Sequence, residues 1–275
     1  MMSYTMARGL TEGEKFNLKA LCELTRELNL DGVDWISTYG YDAHEIRKMM
    51  DDYGLKTVCH TFFCDLNFPT SSERASGRDT FKRGIENAKI LGTDKVMLPV
   101  PGKQGFTREW SFKNVIQGLN EVIKIADEAD IIVTIENSGN PLSPFITSTD
   151  VNRAVKEIPQ LRITFDNGNV TTGGQDAVDG FRDSAQWVVH AHFKDWKICT
   201  KNEPGARLCL DGKYRRAVLV GDGDVEQVGC INAMKEYGYK GYINFEYEGQ
   251  EFTPRQATIE GVRRMKKWIA QTQNS

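Results

Sequence analysis

Four short segments of the chain alternate apolar and polar residues, and each places a potential metal ligand at or near its end. The segments cover residues 131–136, 161–166, 188–194 and 241–246, and the potential ligands are Glu136, Asp166, His192 and Glu246. Successive side chains of a β-strand point to opposite faces, so each segment predicts a strand with one apolar and one polar face. The acidic or imidazole side chain falls on the polar face in all four.

Segments with helical spacing of apolar residues separate the predicted strands along the whole chain. Near the start, Phe16, Leu21, Leu24 and Leu28 approach the spacing of one helix face. The predicted helices cover residues 14–28, 42–53, 73–91, 109–129, 149–158, 176–186, 225–237 and 254–271. The other predicted strands cover residues 4–8, 32–36, 56–62 and 95–100, of which the first has the weakest pattern.

This alternation of strands and helices predicts an α/β fold, the (β/α)8 TIM barrel. Repeated β-α units require parallel strands and right-handed crossovers, and eight of them in roughly 250 residues close a barrel. An open doubly wound sheet is the alternative, but its usual glycine-rich phosphate loop is absent after the first predicted strand. Since no linker or low-complexity segment divides the chain, we predict one TIM-barrel domain over residues 1–275.

Composition and charge limit which classes of binding partner are expected for the chain. The chain is 40% hydrophobic and has a formal net charge of −3, so no basic surplus favours nucleic acid or an anionic membrane. No apolar run approaches the ~18–20 residues that span a bilayer, and residues 1–8 lack the apolar segment of a secretion signal. The six cysteines show no CxxC spacing, which predicts reduced thiols and a cytoplasmic location.

The barrel prediction brings the four potential ligands to one place. Barrel active sites lie at the carboxyl ends of the strands, and the polar strand faces point inward. Glu136, Asp166, His192 and Glu246 would end the adjacent strands five to eight and surround one ion. Three carboxylates and an imidazole suit a divalent metal, with Mn²⁺ favoured and Mg²⁺, Co²⁺ or Zn²⁺ as alternatives.

Other polar or aromatic residues near these strand ends are candidates for substrate binding. Lys194 shares the polar strand face of the histidine before it, where its ammonium could hold a hydroxyl or an enolate oxygen. His60 ends a predicted strand, Asn169 lies on a loop over the site, and Trp196 could form a wall of the site. Core packing is the alternative for His60 and Trp196, and a solvated strand end is the alternative for Lys194.

The segment of residues 195–220 is long for a loop between a strand and a helix, and long loops are often functional. It contains six lysines and arginines, so either a solvated loop or a lid for an anionic or polar substrate is expected. Residues 221–224, Gly-Asp-Gly-Asp, lack the twelve-residue ligand spacing of an EF-hand. We expect a turn in which Asp224 caps the following helix.

Five motifs in the second half of the chain resemble those of the xylose isomerase-like barrel superfamily, in its sugar phosphate isomerase/epimerase branch. They occur in the family's order at residues 135–137 (IEN), 165–169 (FDNGN), 192–195 (HFKD), 221–225 (GDGDV) and 245–249 (FEYEG). The first half matches only in its β/α rhythm. The branch includes inosose dehydratases, hydroxypyruvate isomerases and ketose 3-epimerases.

The resemblance implies that Glu136, Asp166, His192 and Glu246 bind one divalent metal. As in ketose 3-epimerases, it also implies that Glu136 and Glu246 act as the acid/base pair. A glutamate on each face of the substrate can remove and return a carbon-bound proton through an enediolate. The implied function is a metal-dependent isomerase or epimerase of a small carbohydrate, a keto-sugar or sugar derivative, and barrels of this branch often form homo-oligomers.

Two departures from ketose 3-epimerases favour a different reaction on the same scaffold. Asn169 stands where those enzymes usually have a histidine, and Lys194-Asp195 replaces the residues that usually follow the ligand histidine. The alternative is a metal-dependent lyase on a keto-polyol or 3-keto-glycoside, similar to inosose dehydratases. Apurinic-site endonucleases share the fold, but the additional histidines for their three zinc ions are absent here. A non-catalytic carbohydrate-binding barrel is the remaining alternative.

Overall fold

The computed structural model, which describes residues 1–273, contains a barrel of parallel strands surrounded by helices. Seven strands form one sheet in the order β1-β2-β3-β4-β5-β6-β10, and every neighbouring pair is parallel. They are β1 (Gly32–Ile36), β2 (Lys56–Thr61), β3 (Lys95–Leu98), β4 (Ile132–Glu136), β5 (Arg162–Asp166), β6 (Val188–Phe193) and β10 (Ile243–Phe245). The predicted α/β barrel is therefore confirmed.

The backbone of Met1 and Met2 occupies the eighth position of the barrel. Met2 forms a parallel bridge to Asp34 in β1, and its N–H donates to the Phe245 carbonyl in β10 at 3.1 Å. The Asp34 N–H donates to the Met1 carbonyl at 2.9 Å. The first two residues thus join the two edges of the seven-stranded sheet.

The predicted strand at residues 4–8 is wrong, because helix α1 (Ser3–Ala7) occupies this segment. Ser3 and Thr5 are buried since their hydroxyls accept hydrogen bonds from the N–H groups of Ile36 and Tyr247, at 2.8 and 3.0 Å. The weak strand pattern at residues 4–8 does not show these two contacts, which join the helix to distant parts of the chain.

The remaining helices agree with the predicted ones, and the starts of several are fixed by side-chain caps. Asn17, Asp42, Thr107 and Asp176 each accept a hydrogen bond from a backbone N–H of the first turn. The helices are α2 (Leu18–Glu27), α3 (Ala43–Asp52), α4 (Ala75–Leu91), α5 (Arg108–Asp127), α6 (Ser148–Glu157), α7 (Ala177–Ser184), α8 (Gln227–Tyr237) and α9 (Pro254–Gln273). None of the helices in residues 1–273 is long and apolar enough to cross a membrane.

The long segment after β6 forms a small antiparallel sheet. Its strands are β7 (Asp195–Cys199), β8 (Arg207–Leu208) and β9 (Tyr214–Val218), in the order β7-β9-β8. The Asp195 carboxylate accepts hydrogen bonds from the N–H groups of Gly221, Gly223 and Val225 at 2.7, 3.1 and 3.2 Å. These bonds hold the glycine-rich turn against the start of the small sheet.

The expected helix cap by Asp224 is wrong. Its carboxylate accepts from the Ile198 N–H at 2.6 Å, and the residue before α8 is Glu226, whose side chain makes no capping hydrogen bond. Asp224 is two residues too early in the chain to cap α8, so it binds the small sheet instead.

The barrel strands present apolar side chains to the helices and polar ones to the interior. Val133, Ile135 and Phe165 are fully buried in the apolar layer between sheet and helices. Inside the barrel, the hydroxyls of Thr134 and Thr164 lie 2.6 Å apart. The interior is therefore a hydrogen-bonded core, and the polar strand faces predicted from the sequence point into it.

Candidate metal centre

Four neighbouring strands bring the four predicted ligands to one point at their carboxyl ends. Asp166 pairs in register with His192, Glu136 ends β4, and Glu246 directly follows β10. One ligand atom from each of these residues lies within 4.8 Å of the others. The convergence predicted from strand spacing is present in the structure.

The donor atoms of this cluster fit a divalent cation. Asp166 Oδ1 accepts hydrogen bonds from the N–H groups of Gly168 and Asn169 at 3.0 and 2.7 Å. Glu246 Oε2 is buried and accepts no hydrogen bond from the described residues, whereas the buried Asp166 Oδ2 lies 3.2 Å from the Lys194 ammonium. Buried acceptors without a donor are costly, and an oxygen-rich set with one imidazole is a suitable site for a metal ion. Glu136, Asp166, His192 and Glu246 could hold one.

The ammonium of Lys194 lies inside the acidic cluster. Its Nζ is 3.2 Å from Asp166 Oδ2, 3.0 Å from Glu246 Oε1 and 2.8 Å from Glu248 Oε1. Lys194 is only 4% exposed, so these charges compensate one another away from water. Glu248 was not among the predicted site residues, although it lies within the motif at residues 245–249.

Burial shifts the protonation equilibria of the cluster. Burial raises the pKa of Glu246 to about 8 and that of Asp166 to about 7, although Lys194 lowers both. Burial also opposes the charge of Glu248, but Lys194 and Arg207 hold its pKa at about 2. Burial and the Lys194 charge therefore act in opposite directions on the pKa of each of these three carboxyls.

A cavity of about 560 Å³ opens above the cluster. Three predicted substrate-binding residues, Lys194, Asn169 and Trp196, line it together with Glu136 and Arg207. The indole Nε1 of Trp196 is buried and donates to none of the described residues. The Asn169 side chain donates to a backbone carbonyl, that of residue 137, at 2.9 Å.

The small sheet contributes the charged rim of this cavity. Arg207 in β8 places Nη1 3.1 Å from Glu248 Oε2, and its guanidinium carbon lies 5.2 Å from the centre of the Trp196 ring. Arg8, just after α1, approaches the same Glu248 oxygen at 3.7 Å. The segment suspected of function from its length therefore does border the cavity.

The structure does not bring His60 to the cavity. In β2 it pairs with Val96 and lies on the strand face of the fully buried Trp35, whose carbonyl is 3.1 Å from His60 Nδ1. Its ring packs 5.3 Å from that of Phe62. The alternative interpretation of a core histidine describes this position, because the next residue, Thr61, is the one that faces the interior.

Asp34 is a buried acid that sequence reasoning missed. It lies in the middle of β1, and its Oδ2 is 2.9 Å from both His190 Nε2 and His192 Nε2. One signal was available, since an aspartate between Val33 and Trp35 gives β1 the same alternation as the four ligand strands. Asp34 adds a carboxylate directly below the metal centre.

Curated relatives show similarity over different shares of the chain. An uncharacterized protein of Methanocaldococcus jannaschii is 25% identical over 262 residues, covering 84% of this chain and 83% of the relative. An inosose dehydratase of Clostridium tetani is 20% identical over 157 residues, covering 56% of this chain. The matched region spans 53% of that dehydratase, about half of its length.

Solved structures share the fold over nearly the whole chain. An L-ribulose 3-epimerase superposes with a TM-score of 0.79 at 13% identity, covering 100% of this chain and 95% of the epimerase. The IolI protein with a bound zinc atom also gives a TM-score of 0.79, at 16% identity, covering 99% of this chain and 98% of IolI. The family described as xylose isomerase-like TIM barrel matches residues 22–268. The chain therefore belongs to the xylose isomerase-like TIM barrel family.

Proposed function

We propose that the protein is a divalent-metal-dependent isomerase or epimerase that acts through an enediolate on a keto-sugar or sugar derivative. The observation that supports this most directly is the convergence of Glu136, Asp166, His192 and Glu246 within 4.8 Å beneath an open cavity. One of their buried oxygens, Glu246 Oε2, accepts no hydrogen bond from the described residues. Epimerases among the structural relatives have the same fold.

The metal in this proposal is held by the four converging side chains. A bound divalent ion would polarise a carbonyl and its neighbouring hydroxyl, which makes the adjacent C–H more acidic. The three carboxylates favour Mn²⁺. The zinc atom in the IolI structure makes Zn²⁺ the principal alternative.

Glu136 and Glu246 are the proposed acid/base pair. They stand on β4 and at the end of β10, separated in the barrel by β5 and β6, and both line the cavity. Burial raises the pKa of Glu246, which makes its carboxylate a stronger base than an exposed glutamate. Glu136 is less buried than Glu246 and can accept a proton from a molecule in the cavity.

Donor groups around the cavity are the proposed substrate contacts. The Lys194 ammonium and the Trp196 Nε1–H can donate to hydroxyl or carbonyl oxygens of a sugar. Asn169 is held by its bond to the backbone of residue 137, and its remaining amide atoms can contact the same molecule. A small polyhydroxylated ligand matches this number of donors and the cavity volume.

The test combines metal analysis with mass spectrometry. Protein loaded with Mn²⁺ is incubated with a panel of keto-sugars in deuterated water, beside the metal-free protein and the Glu136→Gln variant. The proposal expects a product isomeric with the substrate in which one carbon-bound hydrogen is replaced by deuterium from the solvent. This product should form only with wild-type protein and metal. Failure to bind any divalent ion, or full activity of Glu136→Gln, would refute it.

A lyase acting on a keto-polyol or 3-keto-glycoside is the second candidate. Its support is the similarity to inosose dehydratases over about half of the chain. A second support is Asn169, which stands where ketose 3-epimerases usually have a histidine. The same incubation distinguishes it, because elimination lowers the product mass by one water or one leaving group. A mass loss that requires both metal and Glu136 would favour the lyase over the isomerase.

A further inference from the structure

We infer that Asp34 is a positioning residue that fixes the ring of His192 for metal binding. The inference rests on the metal centre of the proposed function, but it concerns a carboxylate outside the four ligands. Asp34 is fully buried, and its Oδ2 lies 2.9 Å from His192 Nε2. Metal-binding histidines commonly donate their second ring N–H to a carboxylate, which sets the tautomer and makes the ligand nitrogen more basic.

The two nitrogens of His192 face different groups. Nδ1 lies 2.5 Å from Glu136 Oε1 and 3.9 Å from Glu246 Oε2, so it is the nitrogen on the metal side. Nε2 points down the barrel to Asp34. A metal ion bound there would displace the proton that Nδ1 shares with Glu136, while the Asp34 carboxylate keeps the proton on Nε2.

Asp34 is itself held rigidly, on the far side of the barrel from β6. Its Oδ1 accepts a hydrogen bond from Thr61 Oγ1 at 2.9 Å, and its Oδ2 also lies 2.9 Å from His190 Nε2. β1 and β6 are not neighbours in the sheet, so the contact with His192 crosses the interior. A ring held from both sides of the barrel has little freedom to turn away from the metal.

The cluster of Asp34, His190 and His192 could itself be taken for a second metal site, since its donor atoms also lie close together. Both imidazole contacts with Asp34 are 2.9 Å long, the ordinary distance of a hydrogen bond. A second ion here would require His192 to give its remaining nitrogen to a metal as well. We therefore expect one metal ion per chain at saturation.

The variant Asp34→Asn tests the inference because it keeps the shape and removes the charge. Metal affinity is measured by competition between the folded protein and a chromophoric chelator, with Mn²⁺ and Zn²⁺ in turn. Loss of a carboxylate behind a ligand histidine typically weakens metal binding about 10–100-fold, and this is the expected result. Co²⁺-loaded Asp34→Asn should also show a changed visible absorption spectrum.

Thr61→Val is the matched control. It removes the hydrogen bond to the other oxygen of Asp34 and leaves the contact with His192 intact. Its metal affinity should stay within about threefold of wild type, since the carboxylate still faces the ring. Equal weakening in both variants would show a general structural effect and overturn the inference, as would wild-type affinity in Asp34→Asn.

A measurement on the wild-type protein keeps the inference testable if Asp34→Asn does not fold. In the Zn²⁺-loaded protein, ¹⁵N NMR of the histidine rings should show His192 protonated at Nε2 and metal-bound at Nδ1; the reverse pattern, or two metal ions per chain, would overturn it. None of these readouts requires turnover. Wild-type protein that binds metal without converting any sugar would refute the proposed function and leave the role of Asp34 standing.

Discussion

Replacing Lys194 by methionine should destabilise the metal-free protein much more than the metal-loaded one. The Lys194 ammonium lies within 3.2 Å of one oxygen from each of Asp166, Glu246 and Glu248. The side chains of Lys194, Asp166 and Glu246 are almost completely buried, and that of Glu248 is 12% exposed. Methionine keeps the length of the side chain but leaves the acids without their cation. A divalent ion would neutralise the charges of Asp166 and Glu246, and Glu248 would be paired with Arg207 alone among these groups.

The size of the effect follows from the burial of these ion pairs. Removing one partner of a buried ion pair costs ~3–5 kcal/mol in the free energy of unfolding. For a chain of about this size each kcal/mol changes Tm by ~2–4 °C, which predicts a fall of about 6–20 °C without metal. Metal at ~100 times its Kd raises the free energy of unfolding of the wild type by ~2.7 kcal/mol. The increase should be larger for the variant, because the metal also relieves the repulsion between the acids.

Thermal unfolding followed by circular dichroism, with and without saturating Mn²⁺, measures both quantities. The rise in Tm on adding metal should be larger for Lys194→Met than for wild type. Lys48→Met is the matched control, since Lys48 pairs with Asp52 at the surface with 76% of its side chain exposed, and such pairs are worth ~0–1 kcal/mol. An equal or smaller metal-induced rise in Lys194→Met would refute the reasoning.

Three further predictions concern the site, the turn behind it and the thiols. Glu136→Gln should abolish turnover with a Tm within a few degrees of wild type; a comparable loss of fold would mean that its role is structural. Gly223→Ala should lower stability by ~1–3 kcal/mol, measured by urea unfolding, because a Cβ there would lie 2.2 Å from Asp195 Oδ1; wild-type stability would contradict this. With a thiol reagent at pH 8, the partly exposed Cys64 and Cys199 should react before Cys22, Cys59, Cys209 and Cys230, because those four are buried; rapid labelling of Cys59 would contradict this.

The sequence was most informative where one face of a strand is apolar and the other is polar. Glu136, Asp166, His192 and Glu246 could be placed together because strand alternation and parallel connectivity leave few other arrangements. Their interpretation as metal ligands followed from this donor set, the acid/base roles of Glu136 and Glu246 came from the resemblance, and both remain proposals. Geometry alone requires only that four polar groups share one buried space.

The errors arose where local pattern does not determine tertiary contacts. The strand predicted at residues 4–8 rested on a weak pattern, and the helix found there is anchored by bonds from Ile36 and Tyr247, which lie far away in sequence. His60 was predicted to contact substrate, with core packing as the alternative, and its direction in β2 is set by the pairing with β1. Asp34 gains its importance from contacts across the barrel, and Glu248 from ion pairs with Lys194 and Arg207. A single sequence does not show these contacts.

The barrel strands carry the apolar packing layer on one face and the polar interior, with the candidate metal site, on the other. The apolar layer around Val133, Ile135 and Phe165 lies outside the sheet, whereas Thr134, Thr164 and the ligand residues lie inside. Side chains of the interior can therefore be exchanged for others of similar size and hydrogen-bonding capacity without disturbing the layer that joins strands to helices. Proteins with this fold can therefore change their substrate, or the position to which the proton is returned, through a few substitutions of inward-facing residues.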